Sequence, residues 1–207
     1  MAPRTPDEPS VRLLTREDLD PVAGVLGRAF EADPVFRAIL PDDTHRRRAL
    51  PVLFREWIRL LHLPHPATSW TTDDLAGAAL WSPSGAWGVG LGSILRMGPR
   101  MLAAMGSRAL PGLRVLHAIE APHPRKPHVY LRVVGCEPER QGRGIGSRLL
   151  QPMLAQCDAR RDAAYLESSN EKNVPLYRRH GFEVTGEVVT HLGPKVWLMW
   201  REPRMRP

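Results

Sequence analysis

Apolar residues recur at three- and four-residue intervals in three stretches of the chain, the spacing that gathers side chains on one face of a helix. Leu19, Val22, Ala23, Leu26 and Phe30 make the first such face, with Thr15 as its expected N-cap and Asp33-Pro34 as its end. A second face runs from Thr44 through Leu50, Leu53, Phe54, Trp57, Ile58 and Leu61, with Pro51 near its first turns and Pro64 and Pro66 closing it. The third begins at about Gly144 and carries Ile145, Leu149, Leu150, Met153, Leu154 and Cys157. Pro152 interrupts it, and the lost helix bond, on the order of 3 kcal/mol, predicts a kink. Shorter apolar runs read as strands at residues 11–14, 68–72, 76–82, 128–136, 164–167, 184–189 and 195–200, the second and third forming a hairpin around Asp73-Asp74. Residues 174–180 read as a short helix that Gly181 terminates. No internal repeat is visible.

The pattern loosens between Pro83 and Pro127, where glycines alternate with Leu91, Ile94, Leu95, Met97, Met101 and Leu102. That segment reads as a helical insertion of about 83–127, placed between strands where it can act as a lid over an acceptor. Its end, Pro122-His123-Pro124-Arg125-Lys126-Pro127, reads as a stiff linker into the strand at 128–136.

At 207 residues the chain can bury one sizeable core, and one domain at 11–202 is expected, between a flexible 1–10 and a basic tail at 203–207. A net charge of +7 permits polyanion binding, yet there is no zinc spacing, recognition helix or aromatic RNA-binding motif, so no nucleic-acid partner is expected. The two cysteines, Cys136 and Cys157, lie in apolar patterns and read as reduced and buried. Without an apolar leader or a bilayer-length run, the expected location is cytoplasmic, with no membrane partner.

The chemistry concentrates where the strand at 128–136 passes through Glu137-Pro138-Glu139-Arg140 into Gln141-Gly142-Arg143-Gly144-Ile145-Gly146-Ser147. Glycines let successive backbone N–H groups converge on phosphate oxygens, a helix opening near Gly144 adds its positive dipole end, and Arg140 and Arg143 add charge. Three phosphate-loop readings compete. A Walker loop needs a lysine before the Ser/Thr, and the chain offers Ile145-Gly146-Ser147-Arg148. A dinucleotide fingerprint gains from Glu167 downstream, but Ser147 stands at its third glycine and residues 137–141 separate the strand from the glycines. The third reading is a family resemblance, and a glycine-rich turn with no ligand stands beside all three.

Residues 141–146 match the Q/R-x-x-G-x-G/A loop of the GCN5-related N-acetyltransferase (GNAT) superfamily. Asn170 to Tyr177, followed by Gly181-Phe182, resembles that family's closing N-x7-Y-x3-GF pattern. The resemblance covers about 130–201, and Leu166-Glu167-Ser168-Ser169-Asn170 is similar to a puromycin N-acetyltransferase-like subgroup. It implies an α+β GNAT fold: a mixed, mostly antiparallel central sheet splayed between strands 4 and 5, with helices on both faces. It also implies acetyl-CoA as co-substrate, an amine acceptor, and no metal. The chain would be a monomer or homodimer.

In such a fold the pantetheine arm slots between the splayed strands and pairs with backbone that would otherwise be orphaned. Carried over, Val134, Gly135 and Cys136 hold the arm, the Cys136 N–H faces the thioester oxygen, and Gln141, Gly142, Arg143, Gly144, Ile145, Gly146 and Ser147 cradle the diphosphate. Asn170 and Asn173 lie beside the arm, Asn173 filling a position that is often alanine in the family. Tyr177 is the general acid toward the departing thiolate, since its ordinary pKa near 10 keeps it protonated at neutral pH. An ammonium has no lone pair, so a base must free the amine. Glu167, at the end of a splayed strand, is preferred over Glu31, Asp33 and His128. The Cys136 thiol is expected to pack rather than react. Phe30, Phe36, Trp57, Trp81 and Trp87 are candidates to line the acceptor cavity, and a small-molecule amine is favoured over a protein N-terminus or lysine. The competing class is a non-catalytic acyl-CoA-binding or regulatory module.

Overall fold

The computed structural model describes residues 9–65 and 67–204, so Pro66, most of the expected flexible N-terminus and residues 205–207 of the basic tail lie outside the described residues. In chain order the elements are β1 (Val11–Leu13), α1 (Leu19–Ala29), α2 (Pro34–Ile39), α3 (Asp43–Trp57), β2 (Ser69–Thr72), β3 (Gly77–Ser82), α4 (Leu91–Met105), α5 (Ala109–Glu120), β4 (Val129–Cys136), α6 (Ile145–Arg160), β5 (Ala164–Ser168), α7 (Val174–Arg179), β6 (Glu183–Val189) and β7 (Lys195–Arg201). The seven strands form one sheet in the order β1-β2-β3-β4-β5-β7-β6, in which only β4 and β5 run parallel. This is a mixed, mostly antiparallel α+β sheet with helices on both faces, as the sequence predicts. Leu26, Leu53, Phe54, Leu80 and Val133 pack α1 and α3 against one face, while Leu149, Met153, Trp81, Leu131 and Leu166 pack α6 against the other.

Several helix boundaries differ from the sequence reading, each for a local reason. Thr15 does not cap α1. The helix starts after Asp18, whose carboxylate reaches back to the Thr15 N–H (2.8 Å) and hydroxyl (3.0 Å) while both its oxygens take Arg12. Asp33-Pro34 ends one helix and also starts another: the Asp33 carboxylate accepts from the N–H groups of Val35 and Phe36, and Pro34 occupies the first turn of α2. Asp42, not Thr44, introduces α3, accepting from the His45 N–H at 2.6 Å. Pro51 lies inside α3 rather than in its first turns, where its ring meets the α1 backbone at Gly27; a Cβ there would sit 2.7 Å from Pro51 Cγ. At Pro152, where the sequence predicts a kink, α6 runs on as one helix from Ile145 to Arg160, its apolar face packed on the sheet before and after the proline.

Two irregularities shape the centre. The β3–β4 register shifts between Leu80, opposite Val133, and Trp81, opposite Leu131, so Arg132 is an extra residue on β4. The bulge reverses which residues face which layer: Leu131 points to the α6 side, and after it Val133 faces α1 and α3. Beside it, α3 ends in a π-helical turn over Ile58–His62 that carries His62 under the sheet, where its Nδ1 donates to the Trp81 carbonyl at 3.1 Å.

His62 is fully buried, and burial first, with the nearby Arg132 charge second, pushes its pKa down to about 3. The unfolded imidazole titrates near 6.5, so between those values the unfolded state binds a proton that the folded state refuses. Stability should therefore fall as pH drops from 6.5 toward 3, by up to about 1.4 kcal/mol per unit from this group. Urea denaturation across that window should show a shallower slope for His62→Gln than for the wild type, and equal slopes would remove His62 as the cause.

Candidate active site

Parallel pairing of β4 with β5 consists of Val129 with Ala164, Tyr130 with Tyr165 and Leu131 with Leu166, and then stops, although β4 continues to Cys136 and β5 to Ser168. Beyond the bulge β4 is bonded on its β3 side alone. The Glu137 N–H donates to Ala76 O, and in an antiparallel ladder alternate residues share a direction, so Gly135 turns its N–H and C=O toward β3 while Val134 and Cys136 turn theirs to the open edge. Gly135 packs flat on α1, where a Cβ would sit 3.0 Å from Ala29 Cβ and 3.1 Å from Leu26 and Phe30.

From that edge the chain passes through a single 3-10 turn, Pro138–Arg140, to the exposed Gln141, Gly142 and Arg143. Gly142 (φ 76°) and Gly144 (φ 79°) both adopt the left-handed conformation that favours glycine. Gly144 caps α6 without a side-chain bond, and the first turn carries no acidic residue, so the N–H groups of Ile145, Gly146 and Ser147 open the helix with its positive end unopposed. Gly146 lies against α7, its missing Cβ only 3.3 Å from Leu176. Arg140 is held by Asp74 at 2.9 Å, which turns its charge away from this loop; Arg28 braces the lead-in through Glu137.

The splay opens into a cavity of about 650 Å³ running from β4 and β5 under α2, α3, α4 and α5. Val134, Glu167, Asn173 and Tyr177 reach its wall, as do Phe30, Phe36 and Trp57. Gly135, Cys136, Asn170 and residues 141–147 do not; they lie on the strand edge and the loops beyond it. Trp81 is buried on the α6 side of the sheet, and Trp87 stacks on His123 at 3.8 Å outside the wall. Asn170 accepts from the Lys172 N–H at 3.1 Å and so caps the turn leading to α7. Burial raises the pKa of the half-buried Cys136 thiol, with Glu137 adding to the effect. Glu31 is outside the cavity.

Glu167 is nearly buried and fully engaged. Its Oε2 accepts from Tyr130 Oη at 2.5 Å, and its Oε1 is 3.1 Å from His123 Nδ1. His123 Nε2 lies 3.0 Å from His128 Nε2, and His128 Nδ1 is 2.7 Å from the Lys126 carbonyl. A carbonyl only accepts, so His128 Nδ1 carries a proton. Either His128 is neutral and His123 donates through Nε2, or His128 is charged and accepts nothing. In each case the chain from Lys126 to Glu167 is fully bonded only when it holds one proton more than two neutral imidazoles and a carboxylate. Burial lowers the pKa of His128, which favours the neutral form there and puts the extra proton between His123 and Glu167. The chain runs from the cavity wall to the exposed Lys126.

A second polar group lines the same cavity. Tyr177 is buried in α7, and burial, followed by the charge of Asp33, holds its phenol well above the ordinary range. Asp33, itself raised by burial, accepts from the Ser169 hydroxyl. The cap residue of α2 is thus also part of the cavity. Sequence reasoning missed His123, Tyr130 and Ser169. The histidine lies in a segment read as a linker, and only the parity of Tyr130 and Arg132 relative to His128 on one strand face hinted at a shared cluster.

The acetyltransferase (GNAT) family model matches residues 57–182. An uncharacterized N-acetyltransferase of Schizosaccharomyces pombe is 38% identical over 77 residues, 36% of this chain, and the match spans 31% of that protein's length. A solved histone acetyltransferase HPA2 and related acetyltransferase from Corynebacterium glutamicum superposes with a TM-score of 0.72 at 26% identity, covering 96% of this chain and 98% of its own. The arylalkylamine N-acetyltransferase 2 of Aedes aegypti shares the fold at TM-score 0.64 and 14% identity, over 96% and 100%.

Nitrogen-resolved NMR at neutral pH should find His128 as the neutral tautomer protonated on Nδ1. A His128 protonated on Nε2 alone would break the bonded chain to Glu167.

Proposed function

Because the chain belongs to the GNAT acetyltransferase family, we propose that it carries the acetyl group of acetyl-CoA directly to the nitrogen of a small-molecule amine. The observation that supports this most is the end of β4–β5 pairing at Leu131 and Leu166, which leaves a backbone edge beside a cavity lined by both Glu167 and Tyr177.

Bound acetyl-CoA supplies the thioester; the chain supplies grip, orientation and proton traffic. The amides from Gln141 to Ser147, with two left-handed glycines and an uncapped helix start, suit a diphosphate. The free edge at Val134 and Cys136, on either side of Gly135, suits the amide groups of an extended arm, with Asn170 and Asn173 alongside. The Cys136 N–H is the donor for charge developing on the thioester oxygen, and such a donor is worth more in a site that excludes water. Its side chain packs.

The acceptor enters as an ammonium and must lose a proton. Glu167 is the base once its chain has shed the extra proton: with both imidazoles neutral, a proton arriving at its carboxylate moves to His123 Nδ1, and His123 passes its Nε2 proton to Nε2 of His128, whose Nδ1–H stays on the Lys126 carbonyl. Tyr130 fixes the other carboxylate oxygen. Tyr177 remains protonated throughout the neutral range and donates to the leaving thiolate. Its raised pKa lowers the driving force for full transfer, so much of its effect is a hydrogen bond to the forming charge. Holding amine and thioester in attack geometry supplies the rest.

Tyr177→Phe should lower kcat by about a hundredfold in a free-thiol assay, with the CoA dissociation constant unchanged within about twofold by calorimetry. Undiminished turnover would remove the acid assignment, and a protein that does not bind CoA would remove the whole reading. Glu167→Gln should depress kcat/KM most at neutral pH and regain activity as alkali deprotonates the amine in solution. A loss that is uniform with pH would assign Glu167 a structural part only.

A further inference from the structure

The cavity is chemically divided along its length. Its inner end, at the strand splay, gathers three carboxylates, Asp33, Glu120 and Glu167, against one guanidinium, Arg132, which lies 3.9 Å from Glu120. Its outer part is a slot between α4 and α5 with an apolar wall, including Ile94, Met101, Leu102, Leu110, Leu113 and Leu116. Four of these are unusually open for aliphatic side chains: Ile94 is 50% exposed, Leu102 60%, Leu110 57% and Leu113 62%. They are uncovered by the fold itself, and they lie along the wall of the cavity rather than on an unrelated face.

Charge along the insertion sharpens the contrast. From Leu75 to Ile119 there is no acidic residue, while Arg96, Arg100, Arg108 and Arg114 stand on or between α4 and α5. Arg108 is spent on the carbonyls of Ala38 and Ile39, and Arg100 leans on the buried Glu56 from 3.7 Å. The slot is therefore apolar and without a carboxylate, the arginines of the insertion lie outside its wall, and the inner wall carries more carboxylates than cations. A molecule with several positive centres finds no acidic partner for its second charge along the slot and meets a basic insertion around it. A molecule with one ammonium and an apolar body satisfies both ends.

We infer that the acceptor is an amphiphilic monoamine, an alkyl- or arylalkylamine whose head lies among Asp33, Glu120 and Glu167 and whose tail fills the slot between α4 and α5. This rests on the transferase reading of the same cavity, and it names the substrate class that reading leaves open. A cavity of about 650 Å³ is within the usual range for burying a ligand of this size. Each methylene that leaves water for the slot should raise kcat/KM about fourfold until the slot is full.

The test uses an unbranched amine series from propylamine to decylamine, with spermidine and a lysine-containing peptide as comparators. Thiol release from acetyl-CoA gives kcat/KM, and calorimetry of the same amines into CoA-saturated protein gives affinity. Both should climb with chain length, and spermidine and the peptide should fall at least about tenfold below octylamine. A flat series, or preference for the polycation or peptide, overturns the inference while leaving acetyl transfer standing. Affinity that climbs without thiol release from any amine keeps the inference and removes the transfer reading. Gly98→Leu provides a position check: a Cβ there meets no atom within 4 Å, Gly98 lines the slot, and leucine favours a helix interior over glycine. The ratio of decylamine to propylamine kcat/KM should fall at least about tenfold in this variant. An unchanged ratio would mean the tail does not run between α4 and α5.

Discussion

At Tyr130 and Leu131 the fourth strand is paired on both sides, and from the extra residue Arg132 onward it is paired on one. Everything that makes the centre useful follows from that asymmetry. A buried strand with an unbonded edge carries N–H and C=O groups that cost free energy unless something pairs with them. The bulge turns β4 away from β5 and exchanges the faces of its residues, so Val133 and Gly135 pack on α1 while Val134 and Cys136 offer their backbone to the gap. The π-helical turn after α3 and the neutral His62 brace the Trp81 carbonyl at the same register shift, so the irregularity is held from below.

On that base the polar groups of the cavity form two separate assemblies. Glu167 belongs to a hydrogen-bonded line leading through the buried His123 and His128 to the Lys126 carbonyl, with Trp87 stacked on the middle ring. Asp33 and Ser169 form the other, and the Asp33 charge acts on Tyr177. For the proposed reaction the separation has a chemical logic. A group proposed to take up a proton needs an outlet, whereas one proposed to give a proton up needs to keep it until the leaving atom arrives, and burial of the Tyr177 phenol would serve that retention.

The strands and the three long helices were legible because their periodicities are imposed by burial on a sheet or under it. The glycine loop was legible because two left-handed positions and an uncapped helix start leave few residue types free to vary. What the sequence withheld was parity and distance. Arg132 as an inserted residue leaves no trace in the apolar pattern of 128–136, and the pairing of His123 with Glu167 spans 44 positions. Asp33 was read as the end of a helix and did prove to be a cap, but its second oxygen faces a serine 136 residues away, which no local rule reaches. Pro152 does not end α6, since burial on the sheet on both sides of it outweighs a local preference.

The proposed grip on the donor and the proposed wall around the acceptor are drawn from different stretches of chain. Strand β4, the glycine turn and α6 are contiguous, from Val129 to Arg160, whereas α4 and α5 precede them as a self-contained pair between β3 and β4. Alterations along the helix pair need not disturb the backbone edge, whose shape depends on β3, α1 and the bulge. A lineage built on this scaffold can therefore retune what it modifies by changing side chains in one inserted segment, keeping the costly part of the apparatus untouched. Diversification of specificity becomes a matter of upholstery rather than of frame.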